Sequence, residues 1–108
     1  MPRQLRHRIA LATLFAVLLG TAAAAKVIRI EIDRIAFAPA DVTAEIGDTI
    51  EWANNDFVDH TATARSGDWD LEIPAGATAQ VEADRAGSLE YFCRFHPNMQ
   101  GKITVEAR

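Results

Sequence analysis

From residue 27 to residue 105 the chain alternates apolar and polar residues in short runs, broken every few positions by glycine, proline, asparagine or aspartate. A period of two sends successive side chains to opposite faces, so each run is a strand with one face to bury; no long amphipathic helical repeat appears. Ile28, Ile30 and Ile32 share a face, and Phe37-Ala38-Pro39 is expected to break that strand. Val42, Ala44 and Ile46 mark the next, and Gly47-Asp48 reads as a hairpin-like turn into Ile50 and Trp52. After Asn54-Asn55-Asp56 another strand opens at His60, where Ala62 and Ala64 alternate against Thr61 and Thr63. Residues 78–83, 89–93 and 103–105 supply the rest, around turns at Pro74-Ala75-Gly76 and Ala86-Gly87-Ser88. Between Arg65 and Ile73 the pattern weakens, leaving room for a short helix at Trp69-Asp70-Leu71. About seven short strands with turn signals between them predict an all-β fold, a Greek-key antiparallel β-sandwich.

The alternation does not extend to the first 25 residues. Arg3, Arg6 and Arg8 form a basic start, residues 9–19 an apolar stretch, and Ala23-Ala24-Ala25 a small-residue cleavage site. This is the pattern of a helical secretory signal peptide, and its apolar stretch falls short of the roughly 20 residues a membrane-spanning helix needs. The arginines are not adjacent, so the twin-arginine pattern is not met and a Sec-type route to the periplasm is expected. Residues 26–108 then form the single mature domain, with no stable membrane insertion once the leader is gone.

Three of the eleven basic residues leave with the leader, so eight face fifteen acidic ones, a formal charge of −7. That balance argues against nucleic acid or an anionic membrane surface as a partner. Small exported domains often rely on disulfides, yet Cys93 is the only cysteine. Taken alone, it is an intermolecular crosslink, a buried inert thiol, a reactive nucleophile or a metal ligand.

Its neighbours decide between these. In Tyr91-Phe92-Cys93-Arg94-Phe95-His96-Pro97-Asn98-Met99-Gln100-Gly101-Lys102, a strand runs into Cys93 and another leaves after Met99. Steps of three residues span at most roughly 10 Å, so one loop at an end of the sandwich brings Cys93, His96 and Met99 to one point. His60 lies 33 residues before Cys93, at the start of a strand that a sandwich can bring to the same end. One thiolate, two imidazoles and a weak thioether are the donors of a blue-copper centre. Structural zinc prefers more cysteine or histidine, and thioether is a poor zinc ligand. His60, Cys93, His96 and Met99 are thus the expected ligands of one mononuclear type 1 copper.

With these residues in view, the chain resembles the cupredoxins, the type 1 blue copper proteins, and among them the amicyanin branch; pseudoazurins and plastocyanins are more distant. The resemblance rests on Phe37-Ala38-Pro39, on Glu45-Ile46-Gly47-Asp48-Thr49-Ile50-Glu51-Trp52, on Asp59-His60-Thr61, and on the segment from Tyr91-Phe92-Cys93 to Gly101-Lys102-Ile103-Thr104-Val105. The compact Cys-x-x-His-x-x-Met loop with its His96-Pro97 step is its most specific part. It implies an electron carrier with no catalytic residues, in which His96 lies near the surface as the electron port and His60 is the buried ligand. Redox protein partners are implied, a c-type cytochrome or a dehydrogenase, docking near His96 on a monomer. Two positions depart from the family pattern: Thr61 stands where many members have an asparagine tying the ligand loops together, and Asp59 where amicyanins and plastocyanins have a proline.

Phe37, Trp52, Tyr91 and Phe92 read as packing residues. Phe57, Phe95 and Pro97 lie in the metal-side loops, either as an apolar patch beside His96 or buried beneath those loops. The competing function is a periplasmic copper-binding or delivery protein, for which a methionine-rich or histidine-rich exchange site is expected; the chain has only Met1 and Met99. An enzyme using Cys93 and His96 as nucleophile and base would need an orienting third residue and an oxyanion hole, and no motif supplies them.

Overall fold

A computed structural model describes residue 10, residues 12–14 and residues 24–108. The expected signal peptide lies largely outside the described residues. Among them, no helix is long and apolar enough to cross a membrane.

Among the described residues nine strands follow one another: β1 (Val27–Asp33), β2 (Ala36–Ala38), β3 (Asp41–Glu45), β4 (Thr49–Asn54), β5 (His60–Ala64), β6 (Asp70–Ile73), β7 (Thr78–Glu82), β8 (Gly87–Phe92) and β9 (Gln100–Glu106). They make two sheets, ordered β2-β1-β4-β7 and β3-β9-β8-β5-β6. The inward residues are those the alternation selects. Ile30, Ile32, Ile50, Trp52, Ala62, Ile73, Tyr91 and Ile103 are buried between the sheets, at no more than 1% exposure. Trp52, Trp69, Tyr91 and Phe37 gather at its centre, with Phe37 edge-on to Tyr91 at 4.6 Å and Trp52 edge-on to it at 5.4 Å. Burial pushes the Tyr91 hydroxyl up to about 12. Phe92 is different: half-buried, it carries the Arg65 guanidinium over its ring at 4.7 Å on the outer face.

The architecture is the expected β-sandwich, with four local differences. Each sheet is mixed, because β1 pairs with β4 and β3 with β9 in parallel. The chain between β1 and β4 visits the other sheet as β3, and so re-enters beside β1 in the same direction. For the same reason Gly47-Asp48 is not a hairpin: it carries the chain from one sheet to the other. Phe37 and Ala38 do more than break a strand, since β2 folds back on β1 through Ile32 and Phe37. Finally, the weak stretch before Ile73 is a strand and not a helix, with Leu71 partly buried, Asp70 and Glu72 exposed, and β6 paired to β5. Its alternation is present but too short to stand out.

The β1–β2 turn, the β4–β5 loop and the β8–β9 loop meet at one end of the sandwich, and the chain end after β9 lies at the other.

Candidate metal centre

The β4–β5 loop is shaped by Asn54, which is 1% exposed at the end of β4. Its amide donates to the carbonyls of Val58 and Ile73, each at 2.9 Å, and its oxygen accepts the Asp56 N–H at 3.0 Å. These bonds curl residues 55–59 so that His60 enters β5 with its ring inside the sandwich, at 0% exposure. Asp59 ties down the next loop, accepting the Ala75 N–H at 3.0 Å.

The β8–β9 loop closes on itself. Met99 N–H donates to the His96 carbonyl at 2.8 Å, and Cys93 N–H to the Met99 carbonyl at 3.1 Å. Cys93 and Met99 are therefore drawn inward, at 0% and 3% exposure, while His96 stays half-buried at the surface.

Cys93 Sγ lies 3.7 Å from His60 Nδ1 and 3.8 Å from His96 Nδ1, and the three donor atoms are all within 4.8 Å of one another. Bonds of about 2.3 Å to sulfur and 2.0 Å to nitrogen, spread at about 120° around one ion, put sulfur and nitrogen about 3.7 Å apart. The donor set thus fits a first-row ion in a near-trigonal plane, and its softness suits the copper expected from the sequence. Met99 shares with His96, Phe95, Pro97 and Ile35 the lining of a depression in the surface.

Two hydrogen-bond systems hold these donors. The first centres on Asp56, which sequence reasoning placed only in a strand-ending cluster. Its Oδ2 accepts from His60 Nε2 at 2.7 Å and from the Ile35 amide at 3.0 Å, and its Oδ1 from the Arg34 amide at 2.8 Å. With its hydrogen on Nε2 in that bond, the neutral ring turns the bare Nδ1 toward Cys93, the tautomer a metal ligand needs. Arg34 and Ile35 both have positive φ, 51° and 58°, which is costly for a β-branched residue; the Asp56 carboxylate holds that turn in place. Burial pushes the Asp56 carboxyl up, but the Ile35 amide, the His60 ring and the Arg34 amide outweigh it and hold it below the usual carboxylate range. An acid four residues before the histidine is the signal in the sequence that could have found it.

The second system ties the two donor segments together. Thr61 N–H donates to Cys93 Sγ at 3.3 Å, and Thr61 Oγ1 accepts the Arg94 N–H at 2.8 Å. Thr61 Oγ1 lies 2.9 Å from Thr63 Oγ1, which donates to Asp70 Oδ1 at 2.6 Å; Asp70 also accepts from Arg94 Nε at 3.0 Å. Ionised Asp70 can only accept, so the hydroxyls must run Thr61 to Thr63 to Asp70. The ring starts and ends at Arg94 and performs the tying role that the sequence left open at Thr61.

Around the site Phe57 is fully exposed, and Phe95, Ile35 and Val58 are about half exposed. Neither Phe57 nor Phe95 is buried beneath the loops, and Phe95 and Pro97 line the same depression as His96.

The model of the Cupredoxin-like domain family matches residues 7–105. Amicyanin of Paracoccus versutus is 28% identical over 81 residues, covering 69% of this chain and 61% of that one. Chloroplastic plastocyanin of Tetradesmus obliquus is 33% identical over 87 residues, covering 67% and 59%. The chain thus spans about six tenths of the length of these curated relatives. A solved structure of an amicyanin mutant in its reduced state superposes with a TM-score of 0.66 at 26% identity, covering 79% of this chain and 85% of that one.

Proposed function

Because the chain belongs to the cupredoxin-like family, we propose that it is a periplasmic electron carrier holding one type 1 copper on His60, Cys93, His96 and Met99. The observation that carries this reading is the cluster itself: two imidazole nitrogens 3.7 and 3.8 Å from one buried sulfur, brought together from two loops.

Copper, when bound, supplies a one-electron couple between Cu(II) and Cu(I). Cys93 offers a thiolate, and the Thr61 N–H aimed at its sulfur withdraws electron density from it. His60 and His96 act as neutral ligands, with His60 fixed through Asp56. Because the donors are held by backbone bonds and by the Arg94 ring, they need not move when the charge at the centre changes by one, which keeps the barrier to transfer low. His96, half-buried among Phe95, Pro97 and Ile35, is the electron port. The exposed apolar surface around it is where a redox protein docks, a c-type cytochrome or a dehydrogenase, with the chain acting as a monomer and not as an enzyme. If all four side chains held the ion, they would leave no open position for a substrate. Burial of His60, Cys93 and Met99 favours this reading over copper delivery, which needs donors that a recipient can reach. Residues 1–25 are the leader that directs residues 26–108 to the periplasm.

The test is to load the mature protein with Cu(II) and record its visible and EPR spectra beside those of Cys93→Ser. An intense thiolate-to-copper band that disappears in the variant supports the proposal; a colourless wild-type complex overturns it.

A further inference from the structure

Opposite the donor cluster, Asp48 lies enclosed between three segments, only 3% exposed. Its Oδ1 accepts the Lys26 backbone N–H at 2.9 Å, its Oδ2 accepts the Glu45 N–H at 2.8 Å, and Arg108 Nη2 stands 3.4 Å from Oδ1. The rest of the Lys26 backbone is equally fixed. Its carbonyl accepts the Thr49 N–H at 2.8 Å, and β1 starts at the next residue. Ala24 and Ala25 are exposed and belong to no strand.

We propose that the Ala25–Lys26 peptide bond is where the leader is cut, and that Asp48 is the built-in acceptor for the α-ammonium the cut releases. The proposal rests on the leader assigned above. In the hydrolysis one water is consumed: its oxygen joins the Ala25 carbonyl carbon, the C–N bond breaks, and both hydrogens end on the Lys26 nitrogen. The products are a carboxylate on Ala25 and an ammonium on Lys26. A neutral amide beside Asp48 thereby becomes a charged donor at the same atom, and charge-assisted bonds of this kind are about twice as strong as neutral ones.

Geometry singles out this bond among its neighbours. A cut after Ala24 leaves the new charge on an exposed residue and a neutral amide still facing Asp48. A cut after Lys26 deletes the donor and exposes the Asp48 oxygen it covered. A cut after Ala25 leaves alanine at the first and third positions before the bond, the small residues a signal peptidase needs, and spares every residue with a fixed backbone. Arg108 does not crowd the ammonium out. Its guanidinium also reaches Glu45 at 3.6 Å and donates to the Ile46 carbonyl at 2.9 Å, so it does not rest on Asp48 alone.

The full chain is expressed in a host that exports it, and the intact mass of the periplasmic protein is measured. A mass beginning at Lys26 is expected. The mass of the uncut chain would overturn the leader reading itself, and a start at any other residue would overturn this placement alone. The second measurement compares melting temperatures of protein starting at Lys26, protein starting at Ala25, and protein with acetylated Lys26. The first should melt roughly 3–8 °C above the others, and the gap should close in the Asp48→Asn background. Equal melting of all three, or a gap that survives in Asp48→Asn, overturns the role of Asp48.

Discussion

Asp56 reaches His60 across 2.7 Å, and with the same carboxyl group it holds the turn at Arg34 and Ile35 that lies over the centre. One side chain thus fixes a ligand and the surface above it. Asp56→Asn keeps the size but loses the charge and one acceptor. It is expected to weaken Cu(II) binding about 10–100-fold, read by competition with a chelator of known affinity, with the strands intact by circular dichroism.

Thr61 carries the link between donor segments, and its loss differs from that of the outer members of the ring. Thr61→Val preserves the shape and leaves the part-buried Arg94 amide without its protein acceptor, a loss of about 0.5–1.5 kcal/mol. Asp70→Asn acts on a half-exposed carboxylate whose ion pair with Arg94 is screened by solvent, so the smaller loss is expected there. Urea unfolding of the metal-free chains separates the two.

Gly101 pairs with Tyr91 across β8 and β9, and a Cβ on it would fall among the atoms of the Tyr91 ring. Gly101→Ala should therefore cost about 1–3 kcal/mol through overpacking. The companion Tyr91→Leu/Gly101→Ala protein, with the ring gone, should lose less from the added methyl group than wild type does. Thermal melts of the four chains close the cycle.

Acid should act through Asp48. The Lys26 and Glu45 amides hold its carboxyl below the ordinary value, against burial and with help from Arg108. A group whose folded pKa is depressed stabilises the fold above its unfolded pKa, and that contribution is lost as pH falls through the folded value. The melting temperature of wild type should thus drop more between pH 7 and pH 3 than that of Asp48→Asn.

Phe57 is in the opposite position, fully exposed on the loop that delivers His60. Phe57→Ser should leave stability within about 0.5 kcal/mol. If the apolar surface is the docking face, the same change slows electron self-exchange between Cu(I) and Cu(II) molecules, read from NMR line broadening.

Much of this was legible in the sequence, for identifiable reasons. Strands with one buried face leave a period of two, so Ile28 to Ile32, Ile50 and Trp52, and Ala62 and Ala64 declare themselves. The donor loop was legible because Cys93, His96 and Met99 are close in the chain. What the sequence concealed is non-local. Parallel pairing of β1 with β4 depends on where β3 goes, and no local pattern records that. Asp56 looks like a turn residue, because its three partners come from a turn 21 and 22 residues away and from His60. Thr63 and Asp70 join the Arg94 ring only because β5 and β6 pair, and β6, like β2, was a strand the alternation missed.

The order of strands in the second sheet has a consequence for when the protein can exist. β9, the last to be made, sits between β3 and β8, and the β8–β9 loop brings three of the four donors with it. A chain delivered N-terminus first holds β3 without a neighbour until residue 106 has arrived, so neither the sheet nor the centre can close early. The strand that completes the sheet is therefore also the one that completes the donor cluster.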